Sequence, residues 1–60
     1  MKNIYCLNNF CVVQKGKHYF AVMECIFNEP FSEEITSGSS FSNAVKKAKL
    51  LQRGYDLAVS

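Results

Sequence analysis

NIYCLNNFCVV (Asn3–Val13) and HYFAVMECIF (His18–Phe27), joined by Gln14-Lys15-Gly16-Lys17, decide the fold. Both runs are rich in β-branched and aromatic residues, and Gly16 supplies the backbone freedom of a tight turn, so the stretch predicts one long β-hairpin. A two-residue loop at Lys15-Gly16 pairs Gln14 with Lys17. Counting outward, Val12 meets Tyr19, Phe10 meets Ala21, Asn8 meets Met23, Cys6 meets Cys25 and Ile4 meets Phe27. A four-residue loop gives the same pairs. Side chains alternate across a strand, so these ten residues share a face, and nine of them are apolar or aromatic. That face is the expected core. The other sets Tyr5, Leu7, Asn9, Cys11 and Val13 against His18, Phe20, Val22, Glu24 and Ile26, and it too is mostly apolar. One helix covers one face, so the sequence predicts a second apolar sheet surface left for a partner.

Beyond the hairpin, Asn28-Glu29-Pro30 ends the second strand, because proline donates no ladder hydrogen bond. Phe31–Thr36 offers a short edge strand, its adjacent glutamates exposing at least one charge, and Ser37-Gly38-Ser39-Ser40 is a flexible connection. Phe41 to Arg53 carries the clearest helical period. Phe41, Ala44, Val45, Ala48 and Leu51 form one apolar stripe, Ser40 or Ser42 can cap its start, and Gly54 is the expected stop, with Lys49 and Arg53 in the last turn. Opposite the stripe lie Lys46, Leu50 and Arg53, with Lys49 at the margin. Tyr55 to Ser60 alternates weakly and reads as a return strand. The expected fold is α+β over a single domain, residues 1–60. An antiparallel sheet of three to four strands, with its long N-terminal hairpin, packs on one C-terminal helix in the order β-β-(β)-α-(β).

Sixty residues is near the lower limit for a chain that folds alone, which favours association with a partner or with itself as a homodimer. A net charge of +2 is too small to point to nucleic acid by itself. No apolar segment is long enough to span a bilayer, and Met1-Lys2-Asn3-Ile4 leads directly into strand pattern rather than a secretory core, so the expected location is cytoplasmic. Cys6, Cys11 and Cys25 match no two-by-two metal spacing and His18 is the one histidine, so neither a metal nor another cofactor is expected. They read as small apolar side chains, with Cys6 and Cys25 near enough across the hairpin to bridge under oxidation.

Little here suggests catalysis. Glu33 and Glu34 are adjacent and point apart in a strand, the glycines are isolated, and the nearest approach to a dyad is Cys11 with His18 as a diagonal neighbour, with no third group to orient it. Val45-Lys46-Lys47-Ala48-Lys49, after a Gly-Ser loop and a hairpin, resembles the end of double-stranded-RNA-binding domains, where lysines meet phosphates. The chain departs from that family: it has no room for the first helix, its lysines begin a turn late and its lysine-to-alanine spacing is one residue short. The sequence favours a non-catalytic protein-binding module with no small-molecule substrate. It would act through Tyr5, Leu7, Phe20, Val22 and Ile26 on the spare sheet face and Leu50 on the helix. In size and architecture such a domain is similar to small phage or plasmid proteins that inhibit or modulate a host complex, anti-CRISPR proteins among them. The alternative is nucleic-acid binding, or an acidic partner, at Lys15, Lys17, Lys46, Lys49 and Arg53.

Overall fold

The computed structural model describes residues 3–27, 29–30 and 32–59. In chain order it contains β1 (Asn3–Cys6), β2 (Phe10–Gly16), β3 (Tyr19–Ile26), β4 (Glu29–Pro30), β5 (Thr36–Gly38) and α1 (Phe41–Val59). The strands form one antiparallel sheet with α1 packed on it, so the α+β class and the leading hairpin are as expected. β2 lies between β1 and β3. The far edge of β3 is shared, β5 pairing with Phe20–Val22 and β4 with Cys25 and Ile26.

The register of the hairpin differs from the expected one. Val12 lies opposite Val22, Val13 opposite Ala21, Cys11 opposite Met23 and Gln14 opposite Phe20. The turn sits at Lys17-His18, and an irregularity between Gln14 and Gly16 sets Gly16 against Tyr19. The partners are displaced by three residues, an odd number, so β3 is reversed relative to β2: Phe20 and Val22 join the face of Val12, and Ala21, Met23 and Cys25 join the face of Cys11 and Val13. Physically, the bend falls where two solvated side chains, Lys17 and His18, occupy its tip. Gly16 does not adopt the positive φ expected of it; among the described glycines none does.

A second difference lies upstream. The first run is not one strand, because Leu7 N–H donates to the Phe10 carbonyl at 2.7 Å and folds β1 back onto β2. Asn8-Asn9 forms the tip of that turn, as asparagines do readily through side-chain bonding to nearby backbone. Asn8 is therefore exposed rather than in the core.

Both faces of β2 and β3 are buried. On one side Val12, Phe20 and Val22 meet Ala44 and Ala48 of α1, flanked by Tyr5, Leu7, Val45 and Leu51. On the other, Cys11, Val13, Ala21, Met23 and Cys25 form a second cluster with Cys6. The sheet closes over this second face by curling: β4 comes within reach of β2, which is not its neighbour in the sheet, and Cys25 N–H donates to the Asn9 carbonyl at 3.0 Å. The open apolar face expected from the sequence is therefore enclosed, because a strongly twisted small sheet can roll its own strands across it.

α1 begins as expected: Ser40 Oγ accepts from Asn43 N–H at 3.2 Å, and the Ser40 carbonyl accepts from Ala44 N–H. It does not stop at Gly54. The helix runs to Val59, Tyr55–Val59 form no strand, and Lys49 and Arg53 are not in its last turn. A tertiary and a local contact extend it: Tyr55 packs edge-on against Phe10 with ring centres 6.2 Å apart, and within the helix Gln52 Nε2 donates to Asp56 Oδ1 at 3.0 Å. At the other end Phe41 is wedged edge-on against Tyr5 at 6.0 Å and Phe20 at 6.3 Å. The expected third strand over Phe31–Thr36 is replaced by β4 and β5 with irregular chain over residues 32–35, while Phe31, Asn28 and Ser60 lie outside the described residues.

The glycine that packing requires is Gly38, where a Cβ would stand 2.8 Å from the Ala44 backbone nitrogen, whereas a Cβ on Gly54 would meet nothing within 4 Å. Gly38→Ala is expected to cost about 1–3 kcal/mol through overpacking at the sheet–helix junction. Gly54→Ala is expected to stabilise by up to about 1 kcal/mol through helix propensity. Urea unfolding of the two variants checks both signs, and a destabilising Gly54→Ala would show that the helix is interrupted there.

Candidate functional site

The outer side of α1 combines charge with exposed apolar side chains. Ala44, Ala48 and Gln52 turn inward, which places Lys46, Leu50, Arg53 and Leu57 on the opposite stripe at four- and three-residue spacing. Leu50 is 68% exposed and Leu57 70% exposed, and Lys46, Lys49 and Arg53 beside them are exposed too. The helix is held rigidly behind this stripe. Gln52, which the sequence reading passed over, is buried and clamps the β1–β2 turn: its Oε1 accepts from Asn9 N–H at 2.7 Å and its Nε2 donates to Asn9 Oδ1 at 2.8 Å. A glutamine within an otherwise apolar stripe, 43 positions from Asn9, gives no short-range signal of that role.

Four of the five sheet residues expected to bind protein are gathered into the core beneath α1 by the change of register. Phe20 and Val22 are buried beneath α1, and Tyr5 and Leu7 pack half-buried at the margin of the same cluster. They belong to the core because it is their face, and not the other, that meets the helix. Ile26 is exposed, beside Phe27, which is 95% exposed and holds a positive φ of 52°. That conformation is unfavourable for a bulky residue and is set by the bend between β3 and β4.

The cations divide into two groups. Lys15 is drawn to Glu34, with Nζ 3.4 Å from Oε1, an exposed pair that offsets part of its charge. Lys17 is exposed at the hairpin turn next to His18. The turn reaches the start of α1, and between them lies an open groove of about 500 Å³ lined by His18, Tyr19, Ser37, Gly38, Ser39, Asn43, Lys46 and Lys47. Lys47 Nζ donates to the Ser37 carbonyl at 2.5 Å and fixes one wall. The Tyr19 hydroxyl donates to Glu34 Oε2 at 2.5 Å. That bond, followed by Lys15, holds the Glu34 carboxyl below its ordinary range, and the same bond raises the Tyr19 phenol.

Cys11 and His18 are not brought together, since Cys11 is fully buried opposite Met23 while His18 is exposed at the turn. Cys6 faces Cys11 across β1 and β2 rather than Cys25 across the hairpin, and all three thiols are free. Burial first, and then the neighbouring Cys25 and Cys6, push the Cys11 thiol up to about 12, which leaves it protonated and a poor nucleophile. Among the described residues no three His, Cys, Asp or Glu side chains are arranged to hold a metal ion, and no helix is long and apolar enough to cross a membrane. No family model, curated protein or solved structure matches the chain.

The Tyr19–Glu34 bond has a measurable consequence. A depressed carboxyl pKa contributes stability that is present above the ordinary glutamate range and is lost as pH falls through the folded-state value. In Tyr19→Phe the Glu34 titration midpoint, followed by carboxyl carbon NMR, is expected to rise towards the ordinary value, and the stability difference from wild type to vanish at acid pH. An unchanged midpoint would assign the shift to Lys15 alone.

Proposed function

We propose that this chain is a non-catalytic protein-binding module that docks an acidic, amphipathic segment of a partner on the outer side of α1. The observation behind this reading is the stripe Lys46, Leu50, Arg53, Leu57, in which two exposed leucines seven positions apart lie on either side of Arg53, with Lys46 and Lys49 before them, on a helix braced at both ends. A solvated helix face does not need leucines there, whereas an interface does. The apolar pair supplies the anchor, and the flanking Lys46, Lys49 and Arg53 select carboxylates and speed the encounter.

A second copy of the chain is a poorer occupant. The midpoint between Leu50 and Leu57 falls beside Arg53, so pairing two such stripes antiparallel sets Arg53 against Arg53, and parallel pairing repeats every like charge. Nucleic acid is also less well matched, because Lys15 is engaged by Glu34 and the remaining cations of the helix alternate with leucines that a phosphate backbone does not use. Binding of this kind acts by occupancy, as an inhibitor or modulator of the complex to which the partner belongs.

Selection from a random peptide display library against the immobilised chain tests the reading. Enriched peptides are expected to carry Asp or Glu beside aliphatic residues at helical spacing. The double variant Leu50→Glu/Leu57→Glu is expected to lose them by at least about tenfold in affinity while its circular dichroism is unchanged. Enrichment of basic peptides, or equal capture by the double variant, would contradict it.

A further inference from the structure

The groove between the hairpin turn and the start of α1 lies to one side of the leucine stripe and has a chemistry of its own. Of the eight residues that line it, two are lysines and one is histidine, and none is acidic. Ser37, Ser39 and Asn43 add short polar side chains between these. Among the described residues the His18, Ser39, Asn43 and Lys46 side chains make no hydrogen bond or ion pair within the fold, and Lys47 uses one of its three donors on the Ser37 carbonyl. The attraction does not come from the helix terminus, whose Asn43 and Ala44 amides are already bonded to Ser40. Glu34 is bonded to Tyr19 and Lys15 and does not line the groove.

We propose that this groove binds a phosphoryl group carried next to a flat ring, as found in a free mononucleotide or in one unit of a single-stranded nucleic acid. Lys46, Lys47 and His18 converge on a concavity of about 500 Å³, the range of small-ligand sites, and their compact donors suit the oxygens of a phosphate. Tyr19 and His18 line the same concavity and carry flat rings of the kind on which a base can stack. Gly38 keeps the floor low, since a side chain there would strike the Ala44 backbone. Of these residues only Lys46 also belongs to the stripe proposed to dock protein, so the two proposals are told apart at His18 and Leu57, each of which belongs to one of them.

The test is a nitrogen–proton NMR titration of the full chain with inorganic phosphate, adenosine monophosphate and a ten-nucleotide oligothymidylate. Adenosine monophosphate is expected to give saturable shifts at His18, Tyr19, Ser39, Asn43 and Lys46, with a Kd at or below about 1 mM, and to bind more tightly than phosphate. His18→Glu/Lys46→Glu, both at exposed positions, is expected to weaken binding at least about tenfold, and Leu57→Ser to leave it unchanged. If the oligonucleotide binds tighter than the mononucleotide with a steep salt dependence, the phosphate belongs to a strand; if it binds no tighter, to a free nucleotide. Absence of saturation with all three, or shifts spread equally over Lys15, Lys49 and Arg53, would overturn the proposal.

Discussion

The rest of this fold depends on the pairing of β2 with β3, two strands that are apolar on both sides. Their central residues, Val12, Val13, Ala21 and Val22, are all fully buried, so each face of a two-stranded core has to be covered by something. The described residues supply one helix, which covers one of the two sides. The chain uses α1 for the side bearing Val12, Phe20 and Val22, and the curl of the sheet for the side bearing Cys11, Val13 and Met23. The alanines at 44 and 48 let the helix approach closely, and Gly38 lets β5 pass beneath its first turn. Burial on both sides is what lets so small a domain present a fixed surface.

Three features beyond this pairing hold the layers in register with each other. Phe41 inserts between Tyr5 and Phe20, Tyr55 rests on Phe10, and Gln52 is bonded to Asn9 at both ends of its amide. The first two are directional aromatic contacts and the third is a buried polar pair that is costly to leave half made. Between them they fix both halves of α1 against the sheet, and the helix continues through Gly54 in spite of that residue's low propensity. The exposed surfaces so presented include, among the described residues, a leucine-and-cation stripe on α1, a polar groove at the hairpin turn, and the Ile26-Phe27 bend.

The α+β class, the hairpin, the Ser40 cap and the Ala44–Ala48 stripe were legible in the sequence because each rests on local periodicity or a local hydrogen bond. The register was not. Gly16 drew the turn two residues too early, and with apolar residues on both faces no alternation existed to correct it, so a three-residue displacement set β3 the other way round against β2 and carried Phe20 and Val22 from the supposed binding surface into the core with Val12. Asn8-Asn9 was a readable turn signal inside an otherwise strand-like run. The extension of α1 past Gly54 rests on Phe10 and on the Gln52–Asp56 bond, long-range and side-chain contacts that propensity does not see. On the candidate surfaces, Leu50, Lys46, Lys49 and Arg53 were legible as one helix face. The meeting of His18 with Lys46 and Lys47 was not, because it is made by the tertiary approach of the hairpin turn to the helix start.

Which apolar residues are free to act therefore turns on register, and register is directly observable. Interstrand nuclear Overhauser effects in the isotopically labelled protein are the most direct measurement. The structure predicts cross-peaks joining Val12 to Val22 and Val13 to Ala21, with Phe41 ring protons close to those of Phe20. Cross-peaks joining Val12 to Tyr19 and Phe10 to Ala21 would contradict it, returning Phe20 and Val22 to the solvent side of the sheet and moving the candidate binding surface there.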